Sequence, residues 1–543
     1  MKNQKIMLCC LISLPTIGFI GCASNKEVQH EPMFEASIPA PIMPAPVGIS
    51  ALALDPKAMS RGVILHSLPI PIQQNTQKHE AKIENPIKRV SEQPVSTFSI
   101  DVDTGSYTNT RQQIWRGQNP QPEGIRAEEF INYFSYAYPQ TNKNLPFSTQ
   151  TLLTKAPWNP NHQLLRIALK AQDIKAANLP PTNLVYLIDV SGSMGSEDKL
   201  TLVKKALTEM VDHLRPQDKI SIVTYSGEEK VLLSGVSGNE KSKIKSAISS
   251  LNASGATNGE SAIKMAYQQA ENNLIKTGIN RILLLTDGDF NVGVSDTKTL
   301  KQMVSNYQQK GIGLSTLGVG NDYYNDGMME QLADVGQGKY SYLDSLGEAR
   351  KVLIHEMSST LANVAQDVKV QVEFNPAYVQ EYRLLGYDNR QLAREDFNND
   401  QVDAGDIGAG HTVTAIYEIV PVGAKSLIDP LRYQAENKAV GQKNNEIAHL
   451  RLRYKNPNEK TSKLIEQPIK TTQLVGWDKA GADMYFATAA AQFAFKLQQR
   501  KDIPVMKWSD IIALAQSGAT KDEFGQKHEM IALMQKAQLQ YPD

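Results

Sequence analysis

The chain has little cysteine, no excess of either charge and no long apolar run after its first twenty residues. Its 543 residues include three cysteines, and all of them lie at or before position 22. The rest of the chain therefore offers neither a disulfide framework nor a Cys-x-x-Cys pair for zinc. The nine histidines form no His-Glu-x-x-His motif, so a catalytic zinc hydrolase is not expected.

The charge balance excludes further function classes. Acidic and basic side chains number 57 each, whereas nucleic-acid binding calls for a basic face or stripe. No apolar stretch of about 18 residues follows the N-terminal segment, so membrane-spanning helices are not expected. A Gly-x-Ser-x-Gly motif is also missing, which disfavours a serine hydrolase. We expect no enzyme, no nucleic-acid partner and no small-molecule substrate.

The N-terminal segment has the pattern of an export signal. Lys2 and Lys5 precede an apolar stretch over residues 6–20, which is too short to span a bilayer. The sequence Phe-Ile-Gly-Cys that ends at Cys22 resembles a bacterial lipobox. That resemblance implies a signal peptide over residues 1–21 and a lipid on Cys22. By the usual sorting pattern of Gram-negative lipoproteins, Ala23 favours the outer membrane, facing the periplasm.

A tether precedes the first folded module. Residues 22–90 are rich in proline and alanine and have no sustained apolar period, which is typical of a semi-extended linker. From Ser96 the alternation of Phe98, Ile100 and Val102 predicts a strand, and a short helical pattern covers residues 127–134.

Asp101 and Asp103 follow this strand and suggest a calcium loop. Ser106 and Gln112, however, stand where an EF-hand loop needs glycine and glutamate. We therefore expect a structural turn and a helix capped near Ser106.

The central part of the chain alternates between apolar strands and amphipathic helices. This alternation predicts a doubly wound, mostly parallel α/β sheet over residues 181–364. The predicted strands are Leu184–Ile188, Ile220–Tyr225, Ile282–Leu285 and Leu314–Val319. The last predicted helix carries Leu353, Met357, Leu361 and Val364 at helical spacing.

Small oxygen-bearing residues follow two of these strands. The loop Asp189-Val-Ser-Gly-Ser193 comes after the first strand, and Asp287 comes after the third. Thr257 stands on a loop at the start of a helix. Because the carboxyl ends of neighbouring parallel strands meet at one crevice, we expect Asp189, Ser191, Ser193, Thr257 and Asp287 to lie together. Such oxygen ligands suit a hard divalent cation such as Mg²⁺.

This set of five residues resembles the metal-ion-dependent adhesion site of the von Willebrand factor A family. The resemblance implies that Ser191, Ser193 and Thr257 contact the metal directly. It also implies that Asp189 and Asp287 act largely through bound water or in a second shell. Mg²⁺ is the expected cation, with Mn²⁺ or Ca²⁺ as possible replacements. The remaining ligand would be a carboxylate from a partner protein.

Both flanks resemble the YfbK-like bacterial proteins. The resemblance rests on Ser96–Tyr107, Glu129–Phe134, Pro157–Pro160, Gly386–Arg390, Arg394–Phe397 and Asp403–His411. It implies a small α+β N-terminal module over residues 91–180 and a C-terminal module over 365–543. Alternating strands followed by helical patterns predict a β-sandwich plus helices for the C-terminal module. In the wider family the last helix of the central domain can slide when the metal is liganded.

The expected function is therefore recognition. We predict a non-catalytic, lipid-anchored envelope protein that binds an Asp or Glu of another envelope protein through its cation. The alternative is an accessory component of an envelope transport or channel system.

Overall fold

A computed structural model describes residues 85–138, 145–255, 259–288, 297–320, 326–356, 361–402, 404–429, 444–457 and 459–543. The strands of the described residues are β1 Lys88–Arg89, β2 Val95–Ser99, β3 Phe147–Ala156, β4 Asn159–Ala171, β5 Thr182–Asp189, β6 Lys219–Tyr225, β7 Glu229–Ser237, β8 Ile279–Thr286, β9 Ile312–Val319, β10 Tyr340–Leu343, β11 Asn363–Phe374, β12 Val379–Leu384, β13 Gly405–Gly408, β14 Thr412–Pro421, β15 Glu446–Lys455, β16 Lys463–Lys470 and β17 Leu474–Val475.

The longer helices form three groups along the chain. They are α1 Gly105–Trp115, α2 Ala127–Asn132, α3 Leu202–Val211, α4 Lys241–Ser249, α5 Glu260–Asn272, α6 Thr297–Gln308, α7 Asp326–Val335, α8 Leu346–Arg350, α9 Ala482–Leu497, α10 Trp508–Gly518 and α11 Gln526–Gln540.

The central domain is built on a six-stranded sheet in the order β10-β9-β8-β5-β6-β7. The first five of these strands are parallel, and β7 pairs antiparallel to β6 at one edge. Helices on both faces cover the sheet, which is why β5 reads as a continuous buried run. The predicted fold class, a doubly wound and mostly parallel α/β sheet with two flanking modules, is confirmed.

The two flanking segments share their sheets. One six-stranded sheet has the order β1-β12-β14-β4-β3-β17, so β4 from the N-terminal flank pairs with β14 from the C-terminal flank. In the second sheet, β2 pairs with β11. Buried side chains of both sheets, among them Phe98, Leu165, Val370 and Tyr417, form one sandwich core.

Helices from both flanks form a second shared core. Tyr107 of α1 and Phe130 of α2 pack with Phe486, Phe493 and Trp508 of the C-terminal helices. Because each flank contributes to both cores, neither core is completed by one flank alone.

Two local predictions need correction, and one strand was missed. The last helix of the central domain does not extend to Val364, because that residue lies in β11. Before that strand, the described residues have helical backbone up to His355 and again at Leu361, while residues 357–360 lie outside the described residues. Strand β7 was not predicted. The first helix begins at Gly105 with Thr104 as its N-cap residue, rather than at a cap near Ser106.

None of the helices within the described ranges is long and apolar enough to cross a membrane.

Candidate metal site at the carboxyl ends of the central strands

Two neighbouring parallel strands bring the predicted carboxylates together. Asp189 is the last residue of β5, and Asp287 directly follows β8, which pairs with β5. Both side chains are almost fully buried. Thr286 Oγ1 donates a hydrogen bond to Asp189 Oδ2 at 3.0 Å, so the end of one strand fixes the carboxylate of the other.

The loop after β5 directs its hydroxyls to the same edge. The Ser191 backbone N–H donates to Asp189 Oδ1 at 2.8 Å. The hydroxyl oxygens of Ser191 and Ser193 are 2.9 Å apart. Four of the five predicted residues therefore form one cluster: Asp189, Ser191 and Ser193 on the loop, and Asp287 at the end of the neighbouring strand.

The fifth predicted ligand, Thr257, lies outside the described residues, as does Cys22. The chain just before Thr257 is fixed to the serine loop by two backbone hydrogen bonds. The Ser254 N–H donates to Val190 O at 2.7 Å, and the Gly192 N–H donates to Gly255 O at 2.9 Å. In the sequence, Thr257 therefore comes two residues after a segment that is hydrogen-bonded to the serine loop.

Lys199 is a site residue that the sequence pattern did not reveal. Its ammonium donates to Asp287 Oδ2 and to Ser193 O, both at 3.0 Å. The side chain is 5% exposed, and its stem lies against Gly320, where a Cβ atom would come within 2.3 Å of Lys199 Cε. The only sequence signal was one lysine at the start of an apolar helix pattern.

Burial is the main electrostatic feature of Asp189. Desolvation raises the pKa of its carboxyl, opposed by the hydrogen bonds from Ser191 and Thr286 and reinforced by the charge of Asp287. Tyr225 lies opposite Asp189 on the neighbouring strand β6, and its pKa is raised well above the usual value by burial and by Asp189. A divalent cation would offset the cost of holding two carboxylates in this environment.

The donor set fits a hard divalent cation. Adjacent ligand oxygens in an octahedral Mg²⁺ site, with bonds of about 2.1 Å, are about 3 Å apart. The two serine hydroxyls already have that separation. Two carboxylates, two hydroxyls and no sulfur or imidazole among these described residues match oxygen-preferring metals. Ser191 and Ser193 would hold the ion, and the ion would supply an electrophilic centre for an external oxygen ligand.

A second acidic cluster lies elsewhere, and an arginine binds it. Asp101, Asp103 and Asp334 have carboxylate oxygens within 4.8 Å of one another. Arg390 forms ion pairs with these three residues and with Glu330, at distances from 2.7 to 3.4 Å. The acidic pair that suggested calcium in the sequence thus binds a guanidinium that joins the N-terminal flank to the central domain.

Comparisons with known families agree with the domain pattern. The model of the von Willebrand factor type A domain matches residues 183–354, and the model of the C-terminal region of uncharacterized protein YfbK matches 359–539. A further von Willebrand factor model matches residues 73–166. Domains of type A are typically protein-interaction or adhesion modules.

Individual relatives show the extent of the likeness. The uncharacterized protein YfbK of Escherichia coli strain K12 is 45% identical over 470 residues, which are 85% of this chain and 81% of that protein. Human inter-alpha-trypsin inhibitor heavy chain H4 is 31% identical over 188 residues, 33% of this chain and 19% of that protein. A solved von Willebrand factor type A structure from Catenulispora acidiphila shares 15% identity with a TM-score of 0.40, covering 72% of this chain and 92% of that one.

Proposed function

Because the chain belongs to the YfbK family of von Willebrand factor type A domain proteins, we propose that it is a non-catalytic binding protein of the cell envelope. It binds an aspartate or glutamate side chain of another envelope protein through a divalent cation, expected to be Mg²⁺. Ser191, Ser193 and Thr257 hold the cation, and Asp189 and Asp287 orient its shell.

The observation that carries this proposal is the pair of serine hydroxyls 2.9 Å apart beside two buried carboxylates. Charge explains the choice of partner. The carboxylates of Asp189 and Asp287 neutralise a divalent ion, and the Lys199 ammonium 3.0 Å from Asp287 adds one positive charge. The loaded site is therefore cationic and attracts a carboxylate, whereas a site with a third acidic ligand would not.

The envelope location rests on the N-terminal sequence. A lipid on Cys22 and the proline-rich segment after it would hold the folded part near a membrane while leaving the metal site accessible. Mass spectrometry of the purified protein tests this directly. A peptide starting at Cys22 with added acyl mass is expected, and an unmodified chain that retains residues 1–21 would contradict it.

Affinity capture tests the binding function. The full-length protein is used to capture partners from solubilised envelope in Mg²⁺ and in EDTA, followed by identification of the bound proteins. We expect one partner set that is recovered in Mg²⁺ and lost in EDTA. Ser191→Ala should lose the same partners while keeping the wild-type melting curve. Asp287→Ala should lose them as well, but at a lower melting temperature, because it removes the ion-pair partner of the buried Lys199 ammonium.

A matched control is available on the surface of the central domain. Ser246→Ala changes a serine on the exposed side of α4 and should leave capture unchanged. Recovery of the same partners in EDTA, or by the Ser191→Ala variant, would contradict cation-mediated binding.

A further inference from the structure

A cavity of about 400 Å³ lies where both flanking segments meet the central domain. Residues from the N-terminal flank, from β10 and the chain after α8, and from the loop before β14 all line it. None of the described metal-site residues is among them. Its volume is in the range of small-molecule sites, about 300–1,000 Å³.

Three lysines line this cavity. Lys170 donates to Gly410 O at 2.7 Å. Lys351 donates to Tyr133 O at 3.0 Å, and its ammonium lies 3.2 Å from the centroid of the Tyr133 ring. These contacts fix the two ammonium groups, and each keeps further N–H donors for a ligand, because an ammonium has three.

The third lysine, Lys339, forms no direct ion pair with the described residues. Within the described part of the chain, its ammonium has neither a hydrogen-bond acceptor nor an ion-pair partner. Burial lowers the pKa of Lys339, against the opposing charges of Glu356 and Asp103. Holding an ammonium in a partly enclosed site without a partner is costly, and such a group is a candidate for binding an anion.

His411 provides a second unsatisfied group. Its Nδ1 atom is buried and has no hydrogen-bond partner among the described residues. Its pKa lies well below the usual value, because burial and the charges of Lys339, Lys170 and Lys351 oppose protonation. All three ammonium groups are therefore close enough to act on one imidazole.

The carboxylates that border the cavity are engaged elsewhere. Asp103 accepts from the Tyr340 N–H at 2.9 Å and from Arg390 at 3.4 Å. Asp173 pairs with Lys170 at 3.1 Å, and Glu356 lies 3.8 Å from Lys351. The Lys339 ammonium and His411 Nδ1 thus remain without a hydrogen-bond partner among the residues that the structure describes.

We propose that this cavity binds a small molecule bearing a phosphate group, with the phosphate held between Lys339, Lys351 and His411. A phosphate accepts hydrogen bonds on several sides at once, which suits donors that approach from separate elements. Tyr136 and Phe524 also line the cavity and would contact the remainder of a phosphate ester.

Calorimetric titration of the full-length protein tests the proposal. Inorganic phosphate and glycerol 3-phosphate are added in EDTA at constant ionic strength set with NaCl, so that the metal site does not contribute. We expect saturable binding with one site per chain, and a shift of the His411 ring-nitrogen NMR signals on phosphate addition. Tighter binding of the ester than of free phosphate would show that an organic phosphate is the ligand. Equal or weaker binding would show that the inorganic anion is.

Two variants separate binding from folding. Lys339→Met should weaken phosphate binding about tenfold or more, the loss of one charge-assisted contact. Its melting temperature should not fall, because it removes an uncompensated charge. Lys205→Met on the exposed side of α3 is the control. Saturation by neither ligand, or unchanged affinity in Lys339→Met, would overturn the proposal; should Lys339→Met fail to fold, His411→Asn gives the same readout.

Discussion

Lys199 Nζ lies 3.0 Å from Asp287 Oδ2, so the candidate metal site carries a cation that belongs to the chain itself. The lysine stem packs against Gly320, and the same ammonium also donates to Ser193 O. A tethered ammonium beside a metal-site carboxylate has two effects. It partly neutralises the buried carboxylates, and it repels an incoming divalent cation.

Lys199→Met is therefore expected to bind Mg²⁺ more tightly than the wild-type protein, by about tenfold, because one like charge within a few ångströms is removed. The same variant should be less stable in EDTA, since the buried Asp287 carboxylate then loses its ion pair with Lys199. Calorimetric titration with Mg²⁺ measures the first effect, and thermal unfolding in EDTA measures the second.

The exposed Lys205 on α3 is the matched position, and Lys205→Met should change neither quantity. Weaker Mg²⁺ binding by Lys199→Met would mean that the ammonium positions Ser193 and Asp287 for the metal, which is the opposite of the expected role.

The buried Arg111 side chain joins three parts of the chain through ion pairs. From α1 it contacts Asp344 at 2.6 Å and Glu348 at 2.9 Å in the central domain, and Glu529 of α11 at 3.0 Å. Arg111→Met would remove the ion-pair partner of two buried carboxylates, Asp344 and Glu348, so we expect the free energy of unfolding to fall by about 3–5 kcal/mol. Urea denaturation followed by circular dichroism measures this change.

The residue that follows this helix offers a control. Arg116 pairs with Asp198 at 2.7 Å, but both side chains are about one-third exposed. Arg116→Met should therefore cost about 0–1 kcal/mol. Equal losses of unfolding free energy in Arg111→Met and Arg116→Met would show that burial does not determine how much the Arg111 ion pairs contribute to stability.

Much of the central domain could be predicted from the sequence because its order is local. Apolar runs gave β5, β6, β8 and β9, and the parallel topology then put Asp189 and Asp287 at one edge. The edge strand β7 was missed, since its burial pattern is mixed and lacks a continuous apolar run. Val364 was assigned to a helix because its spacing of three residues from Leu361 fits the helical period.

Pairings between distant parts of the chain could not be predicted in this way. Strand periodicity identifies β2, but nothing within Val95–Ser99 specifies that it pairs with β11 more than 250 residues later. The same limit applies to Lys199 and Arg111, whose roles depend on which carboxylates the fold brings near them. Thr257 stays a prediction, because it lies outside the described residues.

The Asp334 cluster predicts a pH dependence of stability. Burial raises the pKa of Asp334 to about 7, although the charge of Arg390 opposes the rise; the nearby Asp101 adds to it. Between about pH 4 and pH 7, the folded protein therefore keeps a proton on Asp334 that the unfolded chain has already released. This contribution to stability is fully present below about pH 4 and is lost as pH rises through about 7.

As the pH rises from 5.5 to 8, the urea midpoint of the wild-type protein should therefore decrease more than that of Asp334→Asn. The asparagine of this variant cannot ionise. Asp212→Asn is the control. The pKa of exposed Asp212 is lowered, chiefly by its hydrogen bond from Lys245, so it does not titrate in this range. Parallel pH profiles for wild type and Asp334→Asn would contradict the expectation.

The shared sheets predict that the C-terminal flank cannot fold without the N-terminal one. A chain that starts at residue 172 loses β4, the neighbour of β14, and β2, a neighbour of β11. It also loses Tyr107 and Phe130 from the helical core. Unpaired buried strand edges and an opened core cost more free energy than a marginally stable domain can offset.

Hydrogen exchange measured by mass spectrometry should show β14 and α9 unprotected in this truncated chain. A chain starting at residue 85 should keep full protection, and a separate fragment of residues 85–171 should restore it to the truncated one. Protection of β14 without that fragment would show that the C-terminal flank folds independently.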